Sequence, residues 1–496
     1  MPYTNQKLIE YKQFLKGKTA TVIGIGISNI PLIDFLLENG VKVTARDMKS
    51  RQKLEENPNI DFERLDRAGV TFVTGEGYLD NIKEDIVFKG PGIRYDKPEI
   101  LSAYENGSII TSEMEAFISL CPSKIIAVTG SNGKTTTTTL ISKILENAGK
   151  KVWLGGNIGN PLLSHIEEIK PDDFTVLELS SFQLHTINRF ENKGLPFAKI
   201  TFPDVGVITN VSPNHLDWHT DMDEYAESKC AIFTHMEKDG ILVTNRCSDD
   251  YVKAFAHKAR TLGRNVRTFS AFDECEKSND KNFAFYDKGD KGVYVGDEKI
   301  LDADKIVIPG LHNVENYMAA ILATYDFVSK DAAKKTSQTF AGVAHRLELV
   351  VDKYGTKYYN SSIDSSPSRT LAALSCFSED YDGRINIILG GYDKHIPFDE
   401  LAEPICKRRI RAFITGHTKD AIYNAITSSK FYDEKTCWLT KCENFDSAVR
   451  FACAAALPGD IVLMSPACAS FDEFANFEKR GERFRYLVKE ITSDIF

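Results

Sequence analysis

The segment VTGSNGKTTT, residues 128–137, carries the densest chemistry in the chain. A strand runs into a glycine-rich turn, and Lys134 and Thr135 then open a helix. Gly130, Ser131, Asn132 and Gly133 would aim backbone N–H groups and a helix N-terminus at an anion. Lys134 would reach the terminal phosphates of a nucleotide, and the Thr135 hydroxyl would take a Mg2+ position. The match to G-x-x-x-x-G-K-[ST] is incomplete: Val128 stands at the first glycine, and Gly130 makes the tight turn instead. The plain alternative is a glycine turn with no ligand. Nucleotide binding is the better account of a Gly-Lys-Thr run at a strand–helix junction.

Three further residues have chemistry of their own. Glu178 ends the strand-like run TVLELSS, where a carboxylate is costly unless paired or metal-bound. His215, in NVSPNHLDWH, follows another strand; it is either a structural histidine or a metal contact. Lys229, read on a helix, has Tyr225, Ala226, Ile232 and Phe233 at i−4, i−3, i+3 and i+4, an apolar face. A lysine there should lose its charge easily and as a neutral amine can take up CO2 as a carbamate, unless it snorkels to water.

Flanking segments are less specific. Gly24-Ile25-Gly26 follows a strand, but Asn29 occupies the third glycine of a dinucleotide fingerprint; Asp47 could accept a ribose hydroxyl. Towards the C-terminus, His345-Arg346-Leu347-Glu348 precedes a strand, and Arg346 suits a phosphate or carboxylate. Lys394 in LGGYDKHIPFDEL and the block SPACASFDEFANFEKRG both follow strands, where ligands collect in open α/β sheets. Each is equally compatible with a surface cation or a plain helix cap.

Strand-like and amphipathic helical runs alternate along most of the chain, the pattern of parallel α/β folds. With 496 residues the length suggests about three domains. Boundaries are expected near residues 111 and 342, giving 1–111, 112–342 and 343–496. Residues 30, 33 and 37 should form the apolar face of the first domain's helix, and residues 273–305 a small antiparallel meander on the second domain. Hydrophobic residues make up 42% and charged residues 26%, and the net charge is −9, unsuited to a nucleic-acid face. The first twenty residues hold no apolar run, and no window is long enough to cross a membrane, so a cytoplasmic protein is expected. The ten cysteines form no CxxC pair and are expected as buried, reduced thiols.

In order along the chain, TGSNGKTT, GGNIGNP, LELSSFQL, NHLDWH, the Lys229 segment, GLHNVEN, HRLE, GGYDK and LMSPACASFDEFANFEKRG resemble the Mur ligases, most nearly the D-glutamate-adding branch. The resemblance spans essentially the whole chain. It implies an N-terminal Rossmann-like UDP domain, a central P-loop ATPase domain and a C-terminal Rossmann-like domain. It also implies an ATP-dependent ligase of peptidoglycan precursor synthesis that joins D-glutamate to UDP-N-acetylmuramoyl-L-alanine through an acyl phosphate. Two Mg2+ ions, a carbamate on Lys229, a monomeric assembly and closure of the domains around the substrates go with it.

By the same resemblance, Gly130 to Thr136 with Asn313, Asn316 and Arg346 would hold ATP. Thr135, Glu178, His215 and the Lys229 carbamate would hold metal. Gly24, Ile25, Gly26, Ser28, Asp47 and Gly90 would line the UDP pocket, and Asn157 and Ser180 would touch the sugar substrate. Lys394, Ser470, Ser365 and the Phe477 backbone would receive the amino acid. One segment departs: Ser361-Ser362-Ile363-Asp364-Ser365-Ser366 replaces an acidic-Ser-Lys-Ala-Thr-Asn run. Ser361 thus stands at the usual Asp and Ile363 at the Lys; Asp364 can substitute after a small loop shift. The rival readings are a ligase of the same superfamily with another acceptor, a nicotinamide dehydrogenase, and a nucleotide-binding regulator without activity.

Overall fold

The computed structural model describes residues 3–26, 29–57, 60–191, 196, 200–271 and 280–493. The chain forms two compact units, Met1–Leu301 with Glu315–Thr336, and Asp302–Val314 with Ser337–Phe496. Among the described residues the first unit contains two sheets and the second unit one.

The first sheet is built from β1 (Thr19–Ile23), β2 (Lys42–Asp47), β3 (Thr71–Thr74), β4 (Ile86–Lys89) and β5 (Ile109–Thr111). Its order is β3-β2-β1-β4-β5, all parallel. The second sheet comprises β6 (Lys124–Thr129), β7 (Val152–Gly156), β8 (Phe174–Glu178), β9 (Val205–Ile208), β10 (Ile241–Asn245), β11 (Asn265–Ser270), β12 (Phe283–Asp287), β13 (Gly292–Val295) and β14 (Glu298–Asp302). Its order is β14-β13-β12-β11-β10-β9-β6-β8-β7. The third has β15 (Glu348–Lys353), β16 (Thr356–Asn360), β17 (Ile385–Gly390), β18 (Arg411–Thr415), β19 (Leu439–Lys441) and β20 (Ile461–Met464), ordered β15-β16-β20-β17-β18-β19.

Central strands such as β9 (VGVI), β17 (INIILG) and β20 (IVLM) are buried at every residue, as parallel strands covered on both faces must be. In each sheet the chain reverses its direction of growth beside a central strand: β1, β6, and the β17–β20 pair. Loops leaving the carboxyl ends of strands diverge there and leave a crevice, the usual ligand position in open α/β sheets. One buried apolar cluster runs through both sheets of the first unit, including Val22, Phe117, Leu163, Leu177 and Phe233.

The α/β class and its largely parallel sheets hold as expected. Three details differ. The helix Asn29–Glu38 buries Leu32, Ile33, Phe35 and Leu36, while Ile30 and Leu37 are only partly covered. It packs against β2 on one side and the turn Leu163–His165 on another, so its covered face is wider than one stripe. The expected meander is the edge of the nine-stranded sheet: β11 and β12 run parallel, and β12 and β13 antiparallel. Part of that segment, residues 272–279, lies outside the described residues. Of nine described cysteines, all free, Cys247 is exposed and Cys376 half-buried; the other seven are buried. Among the described residues no helix is long and apolar enough to cross a membrane.

Candidate functional site

The turn after β6 has a shape only glycine permits. Gly130 has φ +145°, and a Cβ there would overlap Thr209 Oγ1; Gly133 has φ +80°, and a Cβ would lie 2.6 Å from Asn316 Oδ1. The loop is held from the β9 side. Asn132 N–H donates to Asn210 Oδ1 (3.0 Å), Thr209 Oγ1 donates to the Asn132 carbonyl (2.6 Å), and Ser131 Oγ lies 2.8 Å from the Tyr225 hydroxyl. Gly133 then caps the helix Lys134–Asn147, whose first N–H groups face the turn. Asn316 also accepts from Thr137 Oγ1 at 3.1 Å, so this helix-borne amide sits against the turn.

Two ammonium groups meet at this loop. Lys134 Nζ donates to the carbonyls of Gly130 (2.8 Å) and Ser131 (3.0 Å). Lys229 Nζ lies 3.3 Å from the same Gly130 oxygen and 4.3 Å from the Tyr225 ring centroid. Lys229 is 1% exposed, on the helix Met222–Thr234 among buried Tyr225, Ala226, Ile232 and Phe233. The apolar face is as expected, and the snorkelling alternative is excluded by burial. That burial, reinforced by the charge of Lys134, drives its pKa well below the usual lysine value.

Glu178 ends β8 at 3% exposure. Asn157 Nδ2 donates to its Oε1 at 2.9 Å, while Oε2 is buried with no hydrogen-bond partner. A buried carboxylate with one unanswered oxygen is a fitting place for a cation. The close approach of the Asn157 loop depends on Gly156 (φ +91°), where a Cβ would collide with the Glu178 carbonyl. His215, after β9, is held at φ +56°, strained for a residue with a side chain. Partial burial, then the charge of Lys134, lowers its pKa and favours the neutral ring a metal needs. Ser180 caps the turn Ser181–Leu184: its Oγ donates to Gln183 Oε1 (2.9 Å) and accepts from Gln183 N–H (3.2 Å). The hydroxyl expected to touch substrate is thus engaged in a cap.

The first sheet gathers its expected residues at the switch beside β1. Ile25 N–H donates to Asp47 Oδ2 at 2.8 Å, and Asn29 Nδ2 donates to the Gly24 carbonyl at 2.7 Å. Asn29, at the third glycine position of a dinucleotide fingerprint, therefore staples the Gly24–Gly26 turn. Gly90 N–H donates to the Ile23 carbonyl (2.9 Å), and a Cβ on Gly90 would stand 2.8 Å from that oxygen. Ser28 lies outside the described residues.

Asn313, Arg346, Ser365, Lys394, Ser470 and Phe477 belong to the second unit. Lys394 Nζ lies 3.4 Å from Ser365 Oγ, which brings two expected acceptor-site groups together. Asn313 Nδ2 donates to the Pro309 carbonyl (2.6 Å). Arg346 is exposed, and Ser470 is 2% exposed with its carbonyl accepting from Phe474 N–H (2.9 Å). In the departing segment, Ser361 Oγ accepts from Leu347 N–H (3.1 Å). Asp364 is 7% exposed, accepts from Ser465 Oγ (2.8 Å), and has its pKa raised by burial.

Sequence reasoning missed Arg480. Its guanidinium is 2% exposed and donates to the carbonyls of Ala469, Ser362 and Cys468, each at 2.9 Å, and to Ser362 Oγ at 3.1 Å. Ser362 Oγ in turn donates to the Phe477 carbonyl at 2.7 Å. One cation thus ties together the loops that carry Ser365, Ser470 and Phe477. The signal was present: Arg480 falls four and seven residues before Phe484 and Leu487 on one buried helix face.

Residues 128–324 match the family model described as Mur ligase middle domain. A UDP-N-acetylmuramoylalanine–D-glutamate ligase of Acetivibrio thermocellus is 44% identical over 493 residues, covering 98% of this chain and 99% of its own. One of the same name from Clostridium perfringens is 44% identical, covering 97% and 99%. Among solved structures, the MurF ligase of Thermotoga maritima in complex with ADP is similar with a TM-score of 0.53 at 18% identity, covering 97% of each chain. The UDP-N-acetylmuramate–alanine ligase MurC of the same organism gives 0.52 at 18%, covering 96% and 99%. At such identity these two speak for the fold alone.

Proposed function

The chain belongs to the Mur ligase family, and from that premise we propose that it joins D-glutamate to UDP-N-acetylmuramoyl-L-alanine with ATP, releasing ADP and phosphate. The observation that carries the chemistry is the meeting of Lys134 and Lys229 at the Gly130 carbonyl, beside a helix N-terminus and a half-satisfied buried Glu178. Such a place stabilises a phosphoryl group in transit, where charge on the transferring oxygens must be neutralised without solvent reorganisation.

The alanyl carboxylate of the nucleotide sugar attacks the γ-phosphorus, the bond to the bridging oxygen breaks, and ADP leaves. The amine of D-glutamate then adds to the acyl phosphate carbonyl, and collapse of the tetrahedral intermediate expels phosphate and forms the amide. Lys134 neutralises charge on the transferring group. Thr135, Glu178 and His215 would hold Mg2+, two ions in the full site, supplying charge neutralisation and alignment of phosphate oxygens. The unpartnered Glu178 oxygen and the neutral His215 ring fit that role. Lys229, as a neutral amine, would add to CO2 with loss of a proton, turning a buried neutral group into an anion that supports metal or Lys134.

We read residues 1–111, 112–342 and 343–496 as UDP, ATP and acceptor domains of a cytoplasmic monomer. The switch beside β1 serves the UDP end, with Gly24, Ile25, Gly26, Asp47 and Gly90; Asn157 serves the sugar substrate. Asn313, Asn316 and Arg346 serve ATP, and Lys394, Ser365, Ser470 and the Phe477 backbone serve the amino acid's carboxylates. The test is phosphate release from ATP with Mg2+ and UDP-N-acetylmuramoyl-L-alanine against a panel of amino acids of both hands. Release with D-glutamate is expected; release only with another amino acid would move the assignment to a sister ligase, and none with any would overturn it.

A further inference from the structure

Arg94 lies outside every role assigned above, yet it touches the loops on the sugar and metal side of the site. It follows the Gly90–Ile93 turn at the end of β4, and its side chain is 18% exposed. All five guanidinium hydrogens have acceptors. Nε and Nη2 donate to Asp96 at 3.0 and 2.8 Å; Nη1 donates to the Trp218 carbonyl at 2.8 Å. Nη1 and Nη2 also hold Glu224 in a fork, at 3.1 and 2.9 Å. The guanidinium stands 5.0 Å from the Trp218 ring centroid, and Trp218 Nε1 returns a hydrogen bond to the Gly92 carbonyl at 3.0 Å. These contacts join residues about 130 apart in sequence.

Glu224 also accepts from Thr220 N–H at 2.8 Å and lies 3.3 and 3.4 Å from nitrogens of the buried His185 and His219. Those three side chains have the spacing of a metal site, their donor atoms all within 4.8 Å of one another. The carboxylate is already saturated by Arg94 and Thr220, and the guanidinium charge opposes a second cation. The group is therefore better read as a clamp than as a metal centre.

What the clamp holds is specific. His215 keeps its strained φ because Trp218 N–H and His219 N–H donate to its carbonyl at 3.1 and 2.9 Å. Trp218 is in turn fixed by Arg94 and Gly92, and Glu224 sits five residues before Lys229 on the same helix. We propose that Arg94 is a positioning residue that locks the His215 loop and the Lys229 helix to the Gly90 turn, so that binding of the nucleotide sugar and of Mg2+–ATP strengthen one another. The inference rests on the reading of Gly90 as sugar-side and His215 as metal-side.

The test is calorimetric titration of UDP-N-acetylmuramoyl-L-alanine and of a non-hydrolysable ATP analogue with Mg2+, each alone and in the presence of the other. It uses the parent, Arg94→Lys and Glu224→Gln, with melting temperature and steady-state kinetics alongside. In the parent each ligand is expected to tighten the other at least about fivefold. Lysine keeps the charge but offers three donors for five acceptors, so Arg94→Lys should bind each ligand alone as the parent does and lose the coupling. Its kcat should fall roughly tenfold with the KM for D-glutamate unchanged. Glu224→Gln, nearly isosteric, should do the same and serves if Arg94→Lys fails to fold. Coupling retained in a folded variant overturns the proposal, as does a fall in melting temperature with no other change. Zn2+ binding by the parent that is lost in His185→Asn overturns it in favour of a metal site. A parent that binds neither ligand overturns the functional reading itself, and the inference with it.

Discussion

Lys229 shows how burial can prepare a side chain for chemistry. A lysine at 1% exposure, whose ammonium meets a backbone carbonyl and a tyrosine ring, is destabilised as a cation, and a neutral amine is a nucleophile toward CO2. Lys229→Ala is expected to lower ligase activity by of order a hundredfold, the scale of removing one preorganised charge. Millimolar acetate or bicarbonate-independent short carboxylates should restore part of it by occupying the vacated anionic position. Full activity of Lys229→Ala in a phosphate-release assay would falsify the role. The apolar face that predicts this was readable from residue spacing alone, because four flanking residue types suffice to define a helix surface. The Gly130 carbonyl contact was not, since it joins residues 99 apart.

At the scale of elements, the third sheet shows a loop constellation organised from below. Arg480 is buried without a carboxylate partner among its hydrogen bonds; backbone carbonyls of two strand-end loops solvate it, and burial lowers its pKa to about 10. Arg480→Lys removes donors from acceptors that stay buried, at about 1.5–3 kcal/mol for each lost charge-assisted bond. The expected outcome is a KM for D-glutamate raised about tenfold or more. Binding of the ATP analogue should change much less, because the hydrogen bonds of Arg480 go to Ser362, Cys468 and Ala469 and not to Asn313 or Arg346. A parallel loss of nucleotide affinity would remove Arg480 from the acceptor site. The strand ends that carry Ser365, Lys394 and Ser470 were legible as strand-then-loop patterns. Arg480 was hidden because a cation on an amphipathic helix ordinarily points to water.

In the first unit, two buried acids of the helix Glu113–Leu120 are held well above the ordinary carboxylate range. Burial raises Glu113 and Glu115 from about 4.5 to about 7, with Lys89 near Glu115 itself lowered to about 8 by burial. A carboxyl whose folded pKa is raised contributes stability that is complete below pH 4.5 and is lost as pH rises through 7. Glu113→Gln stays uncharged throughout, so its melting temperature relative to the parent should rise between pH 5 and pH 8. The gain should approach roughly 1–3 kcal/mol at the upper end. Burial lowers His185 to about 4, and it is common to both proteins, so the difference isolates Glu113. A difference that is flat with pH would mean Glu113 is ionised in the folded state at pH 5.

Local chemistry and chain order were determined by the sequence itself. The Gly-Lys-Thr turn, the apolar face around Lys229 and the alternation of strands and helices depend on neighbours within one element, where side-chain type and spacing carry the information. The chain order of nine motifs was enough to point to the family. Tertiary structure alone decided which residues share a site and which are spent on structure. It set Lys134, Lys229 and Asn316 around one turn, turned Ser180, Asp47 and Ser361 to holding backbone N–H groups, and joined Arg94 to Glu224 across two sheets. Those outcomes depend on strand order and on loops meeting at switch points, and contacts between residues a hundred positions apart leave no periodic trace in the chain that makes them.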